Sequence, residues 1–152
     1  MADRALSFAQ SYREPDAGAS SDDTRSAMRR AFELEGQLGG FLAAELSADD
    51  EITVETGRTF DTSTAMARSR SEADIVVTRG TERIVLELKR SQSRNFQHAT
   101  DAALGQVMRL MQVPTVTGAV IVIYSRSGIS YSARPAAAPP YERIRIIGPT
   151  LD

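Results

Sequence analysis

The stretch SEADIVVTRGTERIVLELKR, residues 71–90, decides the fold: two apolar runs are joined by Arg79-Gly80-Thr81-Glu82, and carboxylates are set into both runs. Glycine as the first of two central residues suits a type II′ hairpin turn, so Arg79 pairs with Glu82. Counting back from that pair, Asp74 falls opposite Glu87 and Glu72 opposite Lys89. Side chains so placed have Cβ atoms about 4.5–5.5 Å apart. Two facing carboxylates repel unless a divalent cation sits between them or one of them takes a proton. Strand alternation puts Glu87 and Lys89 on one face and Leu86 and Leu88 on the other. One face of a core-forming hairpin thus carries Asp, Glu and Lys together. The plainer arrangement is that Asp74 begins a strand, Glu87 points to solvent from an edge and Lys89 pairs with Glu72.

Upstream, SDDTRSAMRRAFELEGQLGGFLAAEL (21–46) places Met28, Ala31, Glu35, Leu38 and Leu42 at helical spacing behind cap candidates Asp22, Asp23 and Thr24, which predicts a helix over 24–46. Gly39 and Gly40 inside it imply close packing or a kink. EITVETG (51–57) alternates as a strand, and a polar loop follows over 59–70, with Arg58, Arg68 and Arg70 at or near its ends. Downstream, RNFQHATDAALGQVMRLMQ (94–112) is amphipathic, with Ala99, Ala103, Gln106, Val107, Leu110 and Met111 near one stripe, and Pro114 ends it. TGAVIVIYS (117–125) is a continuous apolar run of strand length, the pattern of a strand covered on both faces. ARPAAAPP (133–140) reads as a semi-rigid linker, and YERIRIIG (141–148) as a last alternating strand at an edge or reaching a partner.

The element order α-β-β-β-α-β predicts an α/β sandwich with a central mixed sheet. Residues 1–22 read as a flexible N-terminal arm with a short helix near Leu6–Tyr12, 23–132 as one domain, and 133–152 as a Pro/Ala linker plus a C-terminal strand packing on the domain or a partner. A chain of 152 residues with 41% hydrophobic content is long enough to bury one core. The absence of cysteine excludes disulfides, thiolate zinc sites and cysteine nucleophiles. No apolar run approaches the ~20 residues that cross a bilayer, so the expectation is a cytoplasmic protein without a membrane partner. The net charge of −2 advertises no polyanion partner. From Arg58 to Arg94, however, eight basic residues outnumber five acidic ones, and Lys89 is the only lysine among the 18 basic residues of the chain.

Asp, Glu and Lys on one face suit phosphodiester hydrolysis: paired carboxylates hold Mg²⁺ or Mn²⁺, and a cation orients water or offsets developing charge. His98, the sole histidine, reads as a helix-start residue, and no G-x-S-x-G accompanies the serines. A covalent role for Lys89 is disfavoured because a neighbouring carboxylate stabilises its ammonium form.

EADIVV (72–77) followed by IVLELKR (84–90), with Glu87-Leu88-Lys89 as an E-x-K triplet thirteen residues after Asp74, resembles the PD-(D/E)xK nuclease superfamily, in particular its Holliday-junction-resolvase-like and restriction-like members. The resemblance covers about residues 24–125, and Ala73 stands where the family signature has proline. It implies a restriction-endonuclease-like three-layer α/β/α sandwich. The implied activity is that of a Mg²⁺-dependent deoxyribonuclease, with Mn²⁺ substituting, in DNA repair, recombination or anti-phage defence. Asp74 and Glu87 would be the metal ligands and Lys89 the residue assisting the attacking water. Glu35 would be the glutamate from the first helix, favoured over Glu33 by its stripe, and Gln106 the glutamine from the second. Arg68, Arg70, Arg90 and Arg94 would follow DNA phosphates. A homodimer is expected for double-strand cleavage. The alternative is a catalytically inactive nucleic-acid-binding or scaffold module of a larger complex.

Overall fold

The computed structural model describes residues 1–12, 24–63, 69–91, 96–125, 130–136 and 141–150, with backbone alone at 24–30 and 141. Its elements are α1 (Ala2–Ser11), α2 (Thr24–Leu46), β1 (Ile52–Asp61), β2 (Arg70–Arg79), β3 (Glu82–Ser91), α3 (Gln97–Leu110), β4 (Val116–Ser125), β5 (Tyr131–Pro135), a 3-10 turn (Tyr141–Arg143) and β6 (Ile144–Pro149). The strands form one mixed sheet in the order β1-β2-β3-β4-β6-β5. The β1–β2, β2–β3 and β5–β6 pairs are antiparallel, whereas β3–β4 and β4–β6 are parallel. The predicted order α-β-β-β-α-β is the run from α2 to β4. Arg79 pairs with Glu82 around Gly80 at φ +58°, a backbone conformation that glycine adopts without a Cβ penalty.

Alternation along the strands sends side chains into two cores. On one face Ile75, Val77, Leu86, Val120 and Val122 pack with Leu34, Leu38 and Leu42 of α2 and with Ala5 and Phe8 of α1. On the other, Val76, Val85, Ile121 and Ile123 pack with Ala103, Val107 and Leu110 of α3. β4 serves both cores, which explains why its sequence is a continuous apolar run and not an alternating one.

The ends of the chain differ from expectation. The short helix expected near Leu6–Tyr12 is α1, which starts earlier, at Ala2, and is packed instead of loose, burying Ala5, Phe8 and Ala9; the Phe8 ring lies 5.6 Å from Phe41, and Tyr12 meets Tyr124 edge-on at 5.2 Å. These two aromatic contacts and the burial of Ala5, Phe8 and Ala9 outweigh the low hydrophobicity that suggested a loose segment. At the other end, the terminal strand β6 packs on the domain, but as an interior strand and not as an edge or an arm, because Ile144, Ile146 and Ile147 are buried where it pairs with β4 and β5. Residues 133–135, at the start of the span read as a linker, belong to β5, which begins at Tyr131, whose hydroxyl donates to the Ser125 carbonyl at 2.9 Å. β1 also continues past its expected end. Gly57, at φ +63°, reverses the faces instead of stopping the strand, so Ile52 and Val54 pack on one core and Phe60 on the other.

The glycine pair in α2 resolves into two roles. A Cβ at Gly39 would lie 2.9 Å from Thr56 Cγ2 of β1, whereas one at Gly40 would meet nothing within 4 Å. Gly40→Ala is therefore expected to raise stability by about 1 kcal/mol through helix propensity. Gly39→Ala forfeits that gain by forcing Thr56 aside. Thermal melts of the two variants check this ordering.

Candidate functional site

The site forms where β2 and β3 part. Their ladder ends at Ile75 opposite Leu86, and beyond it Asp74 Oδ2 accepts the Leu88 backbone N–H at 2.6 Å. A side-chain oxygen thus satisfies a donor that the diverging strand leaves unpaired. The divergence has a local cause. Asp74 sits opposite Gly57 in the β1–β2 register, and alternation reverses there on both strands, since Ala73 and Val76 share the second core.

Glu87 is completely buried, at 0% exposure, because β3 is an interior strand between β2 and β4. This overturns the plainer arrangement of a solvent-facing edge carboxylate. Its Oε1 accepts a short hydrogen bond from Lys89 Nζ, so the cation turns to Glu87 and not to Glu72. Oε2 is buried with no hydrogen-bond partner among the described residues. Alternation places the Lys89 ammonium and the Glu87 carboxylate on the same side of the strand.

The electrostatics follow from burial. Loss of water, then the charge of Asp74, pushes the Glu87 carboxyl up to about 7, against the pull of Lys89. Burial also raises Asp74, opposed by the Leu88 N–H and by Lys89, while Glu72 adds to the rise. Glu35, on α2, is raised to about 7 by burial, then by Asp74 and Glu72. Three carboxyls on three elements thus disfavour one another's charge, with one lysine between two of them. Such a set gains from further positive charge.

Gln106 of α3 donates from Nε2 to the Glu72 carbonyl at 2.9 Å, bracing the strand two residues before Asp74. Arg70 is exposed at the start of β2. Arg90 is partly buried on β3, opposite Tyr124 of β4. Arg68 and Arg94 lie outside the described residues, and His98 is exposed in the first turn of α3. The structure thus brings Asp74, Glu87, Lys89 and Glu35 together, with Gln106 as a brace. Sequence reading missed Glu72, whose charge acts on both Asp74 and Glu35; its place opposite Lys89 had suggested only an ion pair.

Among the described residues no group of three or more His, Cys, Asp or Glu is arranged to hold a metal. The candidate protein ligand set is therefore the Asp74–Glu87 pair. Mg²⁺ is commonly held by one or two carboxylates with water and substrate oxygens completing its shell, whereas structural zinc takes four protein ligands, mostly sulfur and nitrogen. The orphaned Oε2 of Glu87 beside Asp74 fits a hard divalent cation of the first kind.

No protein-family model matches the chain, and no curated protein matches it. No helix among the described residues is long and apolar enough to cross a membrane.

Proposed function

We propose that the chain is a metal-dependent nuclease that hydrolyses DNA phosphodiester bonds. The observation that carries this reading is Glu87: a fully buried carboxylate with Lys89 on one oxygen, no described hydrogen-bond partner on the other and the charge of Asp74 acting on it. Burying such a group costs stability and needs a return in function. The resemblance of EADIVV and IVLELKR to the PD-(D/E)xK nucleases points the same way.

Asp74 and Glu87 would hold Mg²⁺, or Mn²⁺ in its place; bound there, the cation would offset their charges and polarise the phosphodiester. Lys89 favours the ionised form of Glu87 through its hydrogen bond, against burial and Asp74, and retains two further N–H donors for a water or a phosphate oxygen. Glu35, poised near neutrality, is suited to accept a proton as water attacks phosphorus in line. The bond to the 3′ oxygen breaks, and that oxygen leaves with a proton from solvent. Gln106 holds β2 in place so that Asp74 keeps its position. Cleavage of both strands would call for two copies of this small chain.

The test is a Mg²⁺ and Mn²⁺ titration against labelled linear duplex, single-stranded and four-way-junction DNA, beside Asp74→Ala and Lys89→Ala proteins that melt cooperatively. Metal-dependent cleavage lost in both variants is the expected result. If wild type and variants are equally inert while wild type binds DNA, the chain is a binding module on this fold.

A further inference from the structure

The one large hydrophobic side chain that is exposed among the described residues is Phe32, at 68%. It lies on α2 three residues before Glu35, which puts the two on adjacent positions of the helix surface. Two observations fix what Phe32 faces. Ala31 shares the stripe of Leu34, Leu38 and Leu42, yet it is exposed while they are buried, so among the described side chains of α2 burial against the sheet begins at Leu34. Gly39 lies on the same flank as Phe32 at helical spacing and packs against Thr56 of β1, whereas Phe41, on the opposite flank, packs against Phe8 of α1. Phe32 therefore lies on the flank of α2 that faces β1, one turn from Glu35, whose charge couples to Asp74 and Glu72.

We propose, resting on the nuclease reading, that Phe32 is a stacking platform for an unpaired nucleobase next to the scissile phosphate, and that it directs the site to single-stranded or frayed DNA. The chemistry of the rim selects the base over the backbone. A neutral phenyl ring three residues from Glu35 offers a π-face that any base can cover, which the carboxylates around it do not. Bases inside a continuous duplex already stack on one another and present no free face. The ring carries no hydrogen-bonding group, so the preference is for strand state and not for sequence.

The experiment compares wild type, Phe32→Ala and Phe32→Tyr in steady-state cleavage of single-stranded and blunt duplex DNA. Alongside it, binding of a single strand carrying 2-aminopurine is followed in the Lys89→Ala background, where the strand stays whole. Phe32→Ala is expected to raise KM and Kd for the single strand by roughly ten- to thirtyfold, with the effect on kcat under about threefold, and to abolish the 2-aminopurine quench. Phe32→Tyr restores both, and duplex constants move less than about twofold. Unchanged single-strand binding by Phe32→Ala overturns the proposal and leaves the nuclease reading standing. A dimer that becomes a monomer on Phe32→Ala overturns it by making Phe32 an interface between copies. Wild type that quenches 2-aminopurine yet never cleaves sinks the nuclease reading alone, and wild type that binds no DNA sinks both.

Discussion

Lys89→Ala is expected to lower metal-dependent DNA cleavage by roughly 10²–10⁴-fold, the range for removing a positioned catalytic group. The loss has two physical sources. One is the missing cation itself. The other is that Glu87, already raised to about 7 by burial and by Asp74, loses the interaction that favours its ionised form, so its pKa rises further. A variant whose Glu87 holds its proton more tightly should recover part of its rate as pH is raised. The pH–rate profile of Lys89→Ala is therefore expected to shift to higher pH relative to wild type, and Lys89→Arg to recover only a fraction, because a guanidinium cannot reproduce a compact ammonium donor. A Lys89→Ala rate within about threefold of wild type at every pH removes Lys89 from the chemistry.

Glu87→Gln should separate stability from activity. The folded protein holds a proton on Glu87 that the unfolded chain, with an ordinary pKa of 4.5, gives up, so wild-type stability declines as pH rises from about 4.5 to 7. At ~1.4 kcal/mol per pKa unit the decline is on the order of 3 kcal/mol. Glu35 adds a smaller contribution of the same sign, discounted because it is partly exposed. Glutamine keeps the shape of Glu87 and an acceptor for Lys89 without the charge, and Lys89, at 32% exposure, can be solvated when its charged partner goes. In chelator at pH 8, Glu87→Gln is thus expected to be more stable than wild type by about 1–3 kcal/mol, or roughly 2–4 °C in Tm per kcal/mol, while its cleavage activity is abolished. Saturating Mg²⁺ should raise the wild-type Tm at pH 8 and leave the variant unmoved. Melting curves across pH 5–8 decide this. A wild-type Tm that climbs through the window contradicts the raised carboxyl.

What could be read from sequence was what is local. Gly80 and the flanking apolar alternation determine the hairpin register, since a turn of two residues leaves little choice of pairing. Leu34, Leu38 and Leu42 repeat at helical spacing, which is why α2 and the preference for Glu35 over Glu33 were accessible. What was hidden depends on distant partners. β5 buries only Tyr131 of its five residues, so no periodicity announces it. β6 becomes interior because two strands far away in sequence receive it. In the site itself, counting placed Asp74 opposite Glu87, but the parting of the strands that gives Asp74 to the Leu88 N–H follows from the reversal of faces opposite Gly57. Glu87 looked equally suited to an edge until β4 was seen to cover the far side of β3. Phe32 has no signature in the sequence, because an exposed aromatic on a helix is distinguished only by what lies beside it.

The central claim is that Asp74 and Glu87 together form one divalent-cation site, and Mn²⁺ binding followed by electron paramagnetic resonance at pH 7.5 tests it without reliance on any substrate. The account predicts one bound Mn²⁺ per chain in wild type, displaced by Mg²⁺, and lost in both Asp74→Asn and Glu87→Gln. Wild type that binds no Mn²⁺, or variants that bind it as wild type does, would contradict it.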